Sequence, residues 1–479
     1  MTTNEFDGAP ALVFRHATVV TVDEAGVIAD GDVLVVGDRI AAVGTGLAVP
    51  EGTVEIDGRD GILMPGMIDT HRHMWQANLR GLGADWTLSE YFTFYYLKWG
   101  RYTRPRDIYA GNLLSGVESV DAGVTTTVDW SHGLRTVEHA EAAADALLAA
   151  GGRFVLACGN LLGGPWEWAN DPAFRAFVAR RAAGDTDRLA LQLAFDVTSD
   201  PAFPERAAFA AARELGLRVT THAGVWQATN DVGIRQMWDA GFMDETVTYV
   251  HCSTLSEESY QKIAASGGTA SVATESEMNA GQGYPPTFLL RRYDIPVSLS
   301  QDTSVWWSGD MFAAMRATLN ADRARCHLEA HRAGSTVTAN EARAEDVVRW
   351  ATLGGARAIG READLGSIRP GKKADLVLVK NDRSPAMRPI LHPYGHLVFQ
   401  AGRGDVHTVL VDGRVVKHAH RLRGVDLGAV HDDVERTVEF FRSTMGDEAW
   451  HEAMAPPLPV GERIDNPYTY SAVDGRDAK

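Results

Sequence analysis

Alternating apolar and polar positions mark the two end regions of the 479-residue chain. The first 63 residues contain short alternating runs that break at Asp-Gly and Gly-Asp pairs, which is typical of strands joined by tight turns. The same pattern returns over residues 365–425. We therefore predict that residues 1–63 and 365–425 form the two parts of one small β-sandwich. Residues 426–479 contain a helical pattern and are predicted to be a helical C-terminal extension.

The central region, residues 64–364, shows a different rhythm in which apolar runs alternate with helical segments. Runs this apolar fit parallel strands that are covered on both faces, and repeated βα units imply a parallel sheet. Eight such units favour closure into a (β/α)8 TIM barrel, so the predicted fold class is α/β. The eight runs are ILMPGMIDTH, GVTTTVDW, RFVLACGN, LALQLAFDV, LRVTTHAG, TVTYVHCST, TASVATES and IPVSLSQDT.

Histidines stand at the ends of several of these runs. His71 and His73 close the first run, and residues two apart on a strand point to the same side. Neutral imidazoles bind zinc, iron and similar metals, although a pair of histidines in a rim loop is the alternative. His222, His251 and Asp302 end the fifth, sixth and eighth runs. Because the carboxyl ends of all barrel strands meet on one face, we expect these five residues to gather there.

The composition of the chain argues against several classes of protein. The net charge of −17, from 63 acidic and 46 basic residues, argues against a nucleic-acid partner. Three cysteines without CxxC spacing argue against a disulfide framework and fit a reducing cytosol. No signal peptide and no run of about 18 apolar residues is visible, so we expect a cytoplasmic protein without a membrane span. Neither a GxGxxG fingerprint nor a GxSxG elbow points to a nucleotide cofactor or a serine triad.

Several motifs together resemble one family. PGMIDTHRH, GVTTTVDW, LSQDT and LGSIRPGKKADLVLV resemble the amidohydrolase superfamily, in particular the branch of cytosine and guanine deaminases, S-adenosylhomocysteine deaminase and triazine chlorohydrolases. The resemblance extends from about Leu12 to Lys417. It implies one divalent metal ion per chain, with zinc first and iron or cobalt as alternatives, and assembly into homo-oligomers. The metal ligands that it implies are His71, His73, His222 and Asp302.

The resemblance also implies catalytic roles. A bound metal makes water nucleophilic near neutral pH, Asp302 can accept a proton from that water, and His251 can steady the developing tetrahedral centre. The branch's deaminases carry a glutamate three residues after the strand-five histidine, where this chain has Val225. Glu275 and Glu277 are the nearest acids expected on the same face, and we select Glu277 as the catalytic candidate. A solvated loop is the alternative for both.

Aromatic residues follow many of the predicted strands. Trp75, Trp130, Trp226 and Trp306 are predicted to bind substrate by stacking on a ring, with Trp307 and His132 as further candidates. Gln76 could bond a ring carbonyl or nitrogen. Structural packing between loops is the alternative for each of these residues. The set favours an aromatic or heteroaromatic small molecule as substrate.

Three functions remain open at this point. The first is removal of an amino or comparable leaving group from a heteroaromatic ring by a metal-activated water. The second is hydrolysis of an amide, urea or carbamate C–N bond on an aromatic compound, which needs no ring protonation. The third is a non-catalytic barrel that binds a ligand.

Overall fold

The N-terminal region forms five strands. The computed structural model describes residue 6 and residues 8–160, 164–183, 187–225 and 228–455. Strand β1 pairs antiparallel with β2 and parallel with β4 and β5, so it is the central strand of this region. The strands are β1 (Leu12–Val20), β2 (Val27–Val36), β3 (Arg39–Gly44), β4 (Val54–Asp57) and β5 (Ile62–Pro65).

The central region forms a barrel of eight parallel strands, as predicted. Each strand pairs with the next in chain order. A bridge between Arg72 and Asp302 then joins the first strand to the segment after the last and closes the barrel. The strands are β6 (Met67–Arg72), β7 (Val124–Ser131), β8 (Arg153–Cys158), β9 (Leu189–Ala194), β10 (Arg218–Ala223), β11 (Val247–His251), β12 (Thr269–Val272) and β13 (Val297–Leu299).

Helices connect the barrel strands. Short turns of 3-10 or π geometry add to them at Met74–Leu79, Thr93–Lys98, Gly100–Tyr102, Trp350–Gly354, Pro385–Met387 and Arg403–Asp405. The α-helices up to the C-terminal strands are α1 (Leu88–Phe92), α2 (Pro105–Asp121), α3 (Val137–Ala149), α4 (Pro165–Ala169), α5 (Pro172–Ala182), α6 (Arg206–Leu215), α7 (Asp231–Asp239), α8 (Glu257–Ser266), α9 (Thr274–Asn279), α10 (Thr287–Arg292), α11 (Met311–Arg332), α12 (Ala344–Arg349) and α13 (Gly355–Ala358).

The C-terminal strands complete the first sheet. Strand β14 pairs antiparallel with β5, so both ends of the chain contribute to one nine-stranded sheet with its own apolar core. The run predicted from Leu365 is a strand only over β14, because the residues before it form turns. The remaining elements are β14 (Leu376–Val379), α14 (Pro393–Phe399), β15 (Val406–Val411), β16 (Arg414–His418) and β17 (Arg421–Leu422).

Alternation along β5 fixes how this sheet meets the barrel. Ile62 and Met64 pack into the main core of the barrel, whereas Leu63 packs into the sheet's own core. Strand β14 repeats the division, with Val377 and Val379 on the barrel side. Successive side chains of a strand point to opposite faces, so one sheet face covers the barrel and the other closes its own core.

The first barrel strand is shorter than predicted. The run ILMPGMIDTH was expected to be one strand, but it divides at Gly66 into β5 of the end sheet and β6 of the barrel. A Cβ atom at Gly66 would lie 2.0 Å from the Thr125 hydroxyl oxygen. A residue without a side chain is required where the chain crosses between the two sheets.

The C-terminal extension is helical over its described part, α15 (Leu427–Met445) and α16 (Asp447–Met454). It packs on α2, where the Thr437 hydroxyl donates to Asp107 and the Arg104 guanidinium lies 3.2 Å from the centroid of the Phe440 ring. Residues 456–479 of the predicted extension lie outside the described residues. The residue limits of the domains stay a prediction. In the described part of the chain, no helix combines the length and apolar character that crossing a membrane requires.

Candidate functional site

Five residues gather at the carboxyl end of the barrel, where the sequence predicts them. They are His71 in β6, His73 directly after β6, His222 in β10, His251 at the end of β11 and Asp302 after β13. The Nε2 atoms of His71 and His73 each lie 3.3 Å from Asp302 Oδ1. Ligand atoms of His71, His73 and Asp302 form one compact group, and those of His71, His222 and His251 form a second, each within 4.8 Å. His71 belongs to both groups and is the centre of the cluster.

The barrel closure holds three of these residues in register. The backbone N–H of Asp302 donates to the His71 carbonyl at 3.0 Å, and the backbone N–H of His73 donates to the Asp302 carbonyl at 2.6 Å. Asp302 has φ of 58° and His251 has φ of 71°, so both adopt the left-handed conformation that side-chain-bearing residues rarely occupy. Strain of this kind persists where the surrounding structure fixes the backbone, and it clusters at functional sites.

Two of the histidines are oriented by acceptors behind them. The His73 Nδ1 lies 3.0 Å from the Trp130 carbonyl oxygen, and the His222 Nδ1 lies 3.1 Å from Asp196 Oδ2. An acceptor at Nδ1 places the proton there and leaves the Nε2 lone pair free for a metal. Both Nε2 atoms therefore have the form that a ligand requires.

His71 shows most directly that the cluster fits a metal ion. Its side chain is fully buried, and neither ring nitrogen has hydrogen-bond geometry to any residue that the structure describes. Buried polar atoms are seldom left without a partner. Burial lowers the pKa of His71 well below its usual value and lowers that of His73 to about 4, so both rings are neutral. Neutral imidazoles beside a carboxylate are a donor set that zinc accepts.

Asp302 is held as an ionised carboxylate. Burial alone would raise its pKa, but the adjacent His71 and His73 rings bring it well below the usual value. The Ser276 hydroxyl donates to Asp302 Oδ2, while Oδ1 faces the histidines. One oxygen is thus available to a metal, and the other stays in a hydrogen bond.

Glu277 lies behind His251 and not in a solvated loop. The residues after Val272 form helix α9, which buries Glu277 completely. Its Oε1 lies 3.3 Å from His251 Nδ1 and accepts the Ala273 N–H at 2.9 Å. Burial raises the pKa of Glu277, an effect that the His251 ring partly offsets. The alternative position, Glu275, is partly exposed on the same helix, and burial beside Asp310 raises its pKa to about 7.

The predicted aromatic residues occupy different places around the site. The Trp130 ring stacks on His222 with centroids 3.8 Å apart. Trp75 is buried against His132, whose ring lies edge-on to His73 at 4.4 Å. Trp130, Trp75 and His132 therefore pack directly around the histidine cluster.

The remaining described substrate candidates lie around Tyr91, whose ring centroid is 6.5 Å from that of His73. Trp306 stacks on Tyr91 at 5.4 Å and on Trp307 at the same centroid distance. Gln76 accepts from the Thr303 hydroxyl at 2.6 Å and donates to the Tyr91 hydroxyl at 2.7 Å, so its amide is engaged on both sides. Trp226 lies outside the described residues.

Asp196, Tyr91, Tyr96 and Ser276 complete the surroundings, and the sequence analysis did not select them. Asp196 follows β9 just as Asp302 follows β13. Its position after a barrel strand could therefore have identified it as a site residue from the sequence. Tyr91 and Tyr96 come from the long segment after β6, where no periodicity indicates which rings point inward.

Comparisons with known proteins identify the family and the fold. Residues 62–416 match the model of the amidohydrolase family. The 5-methylthioadenosine/S-adenosylhomocysteine deaminase of Desulforudis audaxviator (strain MP104C) is 30% identical over 89% of this chain and 98% of its own length. The 5′-deoxyadenosine deaminase of Methanosarcina mazei is 25% identical over 89% and 98%.

Solved structures show the same fold. An adenosine deaminase from Xanthomonas campestris with bound zinc superposes with a TM-score of 0.75 at 22% identity, over 90% of this chain and 98% of its own. The atrazine chlorohydrolase from Arthrobacter aurescens TC1 complexed with zinc gives 0.72 at 20% identity, over 89% and 100%. At these identities the likeness concerns the fold alone.

Proposed function

This chain belongs to the amidohydrolase family, and from that premise we propose that it is a metal-dependent aminohydrolase that releases ammonia from a heteroaromatic small molecule. The observation that carries the proposal is the cluster that includes His71, His73, His222 and Asp302. The fully buried His71 belongs to both of its groups of ligand atoms and has no hydrogen-bond partner among the described residues. Adenine nucleosides are the first substrates to test, because the named relatives are deaminases of such compounds.

These four residues would hold one divalent ion, zinc in the first place. When bound, it supplies Lewis acidity that makes water a nucleophile near neutral pH. Asp302 accepts the proton that this water loses, because its carboxylate is ionised and lies beside the histidines. The water oxygen forms a bond to the ring carbon, and the proton held by Asp302 passes to the amino nitrogen as the C–N bond breaks and ammonia leaves.

His251 and Glu277 act as a pair in this scheme. With its Nδ1 proton directed at the Glu277 carboxyl group, His251 turns the lone pair of Nε2 toward the cluster, where it accepts a hydrogen bond from the attacking water and then from the hydroxyl of the tetrahedral centre. Glu277 is a positioning residue, because the imidazole stands between it and the reacting atoms. The aromatic rings of Trp130 and Trp75 exclude water around the histidines.

The second candidate function is hydrolysis of an amide, urea or carbamate bond on an aromatic compound. Val225 favours it: this residue is buried in the apolar core at the position of the branch's glutamate, so no carboxyl group stands there to protonate a ring. An acyl C–N bond can be cleaved without ring protonation, whereas ring deamination needs another proton donor.

One experiment separates the two functions. The zinc-loaded protein is incubated with 5′-deoxyadenosine and 5-methylthioadenosine, and separately with aryl ureas and anilides. Ammonia with the matching inosine product supports deamination, and an arylamine product supports the second function. Absence of both products from a protein that retains zinc would contradict both and favour a ligand-binding barrel.

A further inference from the structure

The loops on the catalytic face of the barrel have an unusual charge composition. From the third strand to the eighth, the segments that follow the strands contain no lysine or arginine. The described parts of these segments are residues 159–160, 164–171, 195–205, 224–225, 228–230, 252–256, 273–286 and 300–310. They do contain acidic residues: Glu167, Asp171, Asp196, Asp200, Glu205, Glu275, Glu277, Asp302 and Asp310.

The basic residues near the first two strands are engaged away from the site. Arg72 points out of the barrel to Ser115, Ser304 and Glu118, as alternation from His71 and His73 requires. Two other arginines form ion pairs, Arg80 with Glu118 and Arg104 with Asp107. Arg101 and Arg135 donate hydrogen bonds to the backbone carbonyls of Lys98 and Thr103. Lys98 itself lines an outer groove with Trp99 and Glu452. Among the described residues, none of these cations is placed to neutralise an anionic substrate.

Asp196 is the most accessible charged group of the site. Its carboxylate accepts the backbone N–H of His222 at 2.9 Å and lies beside the His222 ring, yet its side chain remains 33% exposed. The side chains of His222 and Asp302 are only 13% and 4% exposed. A carboxylate has about four lone-pair sites, so Asp196 can accept a further donor from solvent or ligand.

Aromatic faces stand around the histidines beside this carboxylate, and the Trp130 ring stacks on His222, the histidine that Asp196 contacts, with centroids 3.8 Å apart. The Tyr96 ring stacks on His132 with centroids 5.4 Å apart and an interplanar angle of 21°. Burial raises the pKa of Tyr96, and the charges of Asp196 and Asp302 add to that rise. Tyr96 therefore lies within the field of both carboxylates. An aromatic face near carboxylates attracts cations.

We propose that the substrate of this site carries a positive charge, an ammonium or protonated amidine group beside its aromatic ring, and that Asp196 binds that charge. This inference rests on the proposed function and narrows its substrate class, so an amine-bearing heteroaromatic cation should be a better substrate than the neutral adenine nucleosides. Apart from the metal ion, a carboxylate or phosphate substrate would meet acidic loops and, among the described residues, no lysine or arginine that faces the site. The net charge of −17 also favours the approach of a cation.

Binding of three matched probes tests the proposal without any turnover. The probes are 2-phenylethylammonium, 2-phenylethanol and 2-phenylethanesulfonate, which share a ring and differ in charge. Calorimetry with the zinc-loaded protein should give an affinity for the ammonium about tenfold above that for the alcohol, with the sulfonate weakest. Equal affinities, no detectable binding, or tighter binding of the sulfonate would overturn the proposal.

Asp196→Asn tests the assigned residue, and Asp200→Asn is the matched control. Both substitutions remove one charge from the same loop, but the Asp200 side chain accepts the Ala202 N–H of that loop and no contact with a site histidine is present among the described residues. The ammonium preference should disappear in Asp196→Asn and persist in Asp200→Asn. A preference that survives in Asp196→Asn with its zinc intact would show that Asp196 is not the partner.

A second measurement is needed if Asp196→Asn no longer binds zinc because His222 is no longer held in position. In the unmodified protein, added salt should weaken binding of the ammonium and leave binding of the alcohol unchanged. Equal salt dependence of the two would overturn the proposal. An ammonium preference in a protein that hydrolyses no C–N bond would leave the charge assignment standing and contradict the proposed function.

Discussion

The two ends of the barrel use charged and polar residues in opposite ways. At the carboxyl end, His71 is buried without a hydrogen-bond partner among the described residues, and His251 and Asp302 have positive φ. At the amino end, Arg153 of β8 makes two bonds to Asp375, at 2.9 and 3.1 Å, and a third to Asp412 at 3.0 Å. One end gathers donor atoms that suit a metal ion, and the other holds paired charges.

The amino-end pairs also join the two sheets. Lys373 contacts Asp412 and Asp187 at 3.0 Å each, and Arg361 contacts Asp187 at 3.1 Å. These ions lie between the barrel and the nine-stranded sheet, where an unpaired charge would be costly. Buried polar groups therefore have different roles at the two ends of the barrel. At the carboxyl end they form a site for a ligand, and at the amino end they hold the two sheets together. Substitutions at the two ends should therefore separate activity from stability.

The largest effect is expected at the carboxyl end. His71→Ala and Asp302→Ala should each lose metal and lower kcat/KM by about a thousandfold or more, because a lost Lewis acid costs several kcal/mol of transition-state stabilisation. The thermal midpoints of the two variants should be similar to that of the parent protein when all three are free of metal. Elemental analysis and ammonia release measure the change, with the exposed His431→Ala as the control. Full metal and activity in either variant would refute the ligand assignment.

The largest effect on stability is expected at the amino end. Asp375→Ala leaves the buried Arg153 without its bidentate partner and should cost about 3 kcal/mol of unfolding free energy, with Asp412 limiting the loss. The kcat should stay unchanged. Asp60→Ala removes the exposed pair with Arg388 and should cost less than about 1 kcal/mol. Equal denaturation midpoints for the two variants would contradict the distinction between the ends.

A smaller effect on activity is expected from Glu277. Removing the group that orients His251 should lower kcat about 10- to 100-fold and leave KM and metal content nearly unchanged, by analogy with outer-shell partners of metal ligands. Glu277→Gln keeps an acceptor oxygen and should retain more activity than the apolar Glu277→Leu. If both variants lose the same amount of kcat, Glu277 does not position His251.

The smallest effect concerns acid stability at Asp187. Hydrogen bonds and charges of Arg361 and Lys373 outweigh burial and lower its pKa to about 2, below the value of about 3.8 in an unfolded chain. A lowered pKa contributes stability above pH 4 that is lost as the pH falls toward 2. The unfolding midpoint of Asp187→Asn should therefore lie below that of the parent at pH 6 and approach it at pH 3. A difference between the two midpoints that does not change with pH would show that ionisation of Asp187 is not its cause.

The sequence predicts the barrel and the ligand cluster because both depend on simple periodicity. His71 and His73 share a face by the period of two, and Asp302 follows a buried run. The division at Gly66 was not predictable, because apolar residues continue through both strands. The burial of Glu277 depends on a short helix after β12, and the roles of Asp196 and Tyr96 depend on contacts between distant segments.

Metal content measured on protein purified without chelator tests the central claim most directly. About one tightly held zinc, iron or cobalt ion per chain is expected, and it should be lost in His71→Ala. When all proteins are compared without metal, the thermal midpoint should fall far less in His71→Ala than in Asp375→Ala. About two ions per chain would show that a second ligand set exists. No metal, even after zinc is added to the folded protein, would contradict the account of the carboxyl end as a metal-dependent active site.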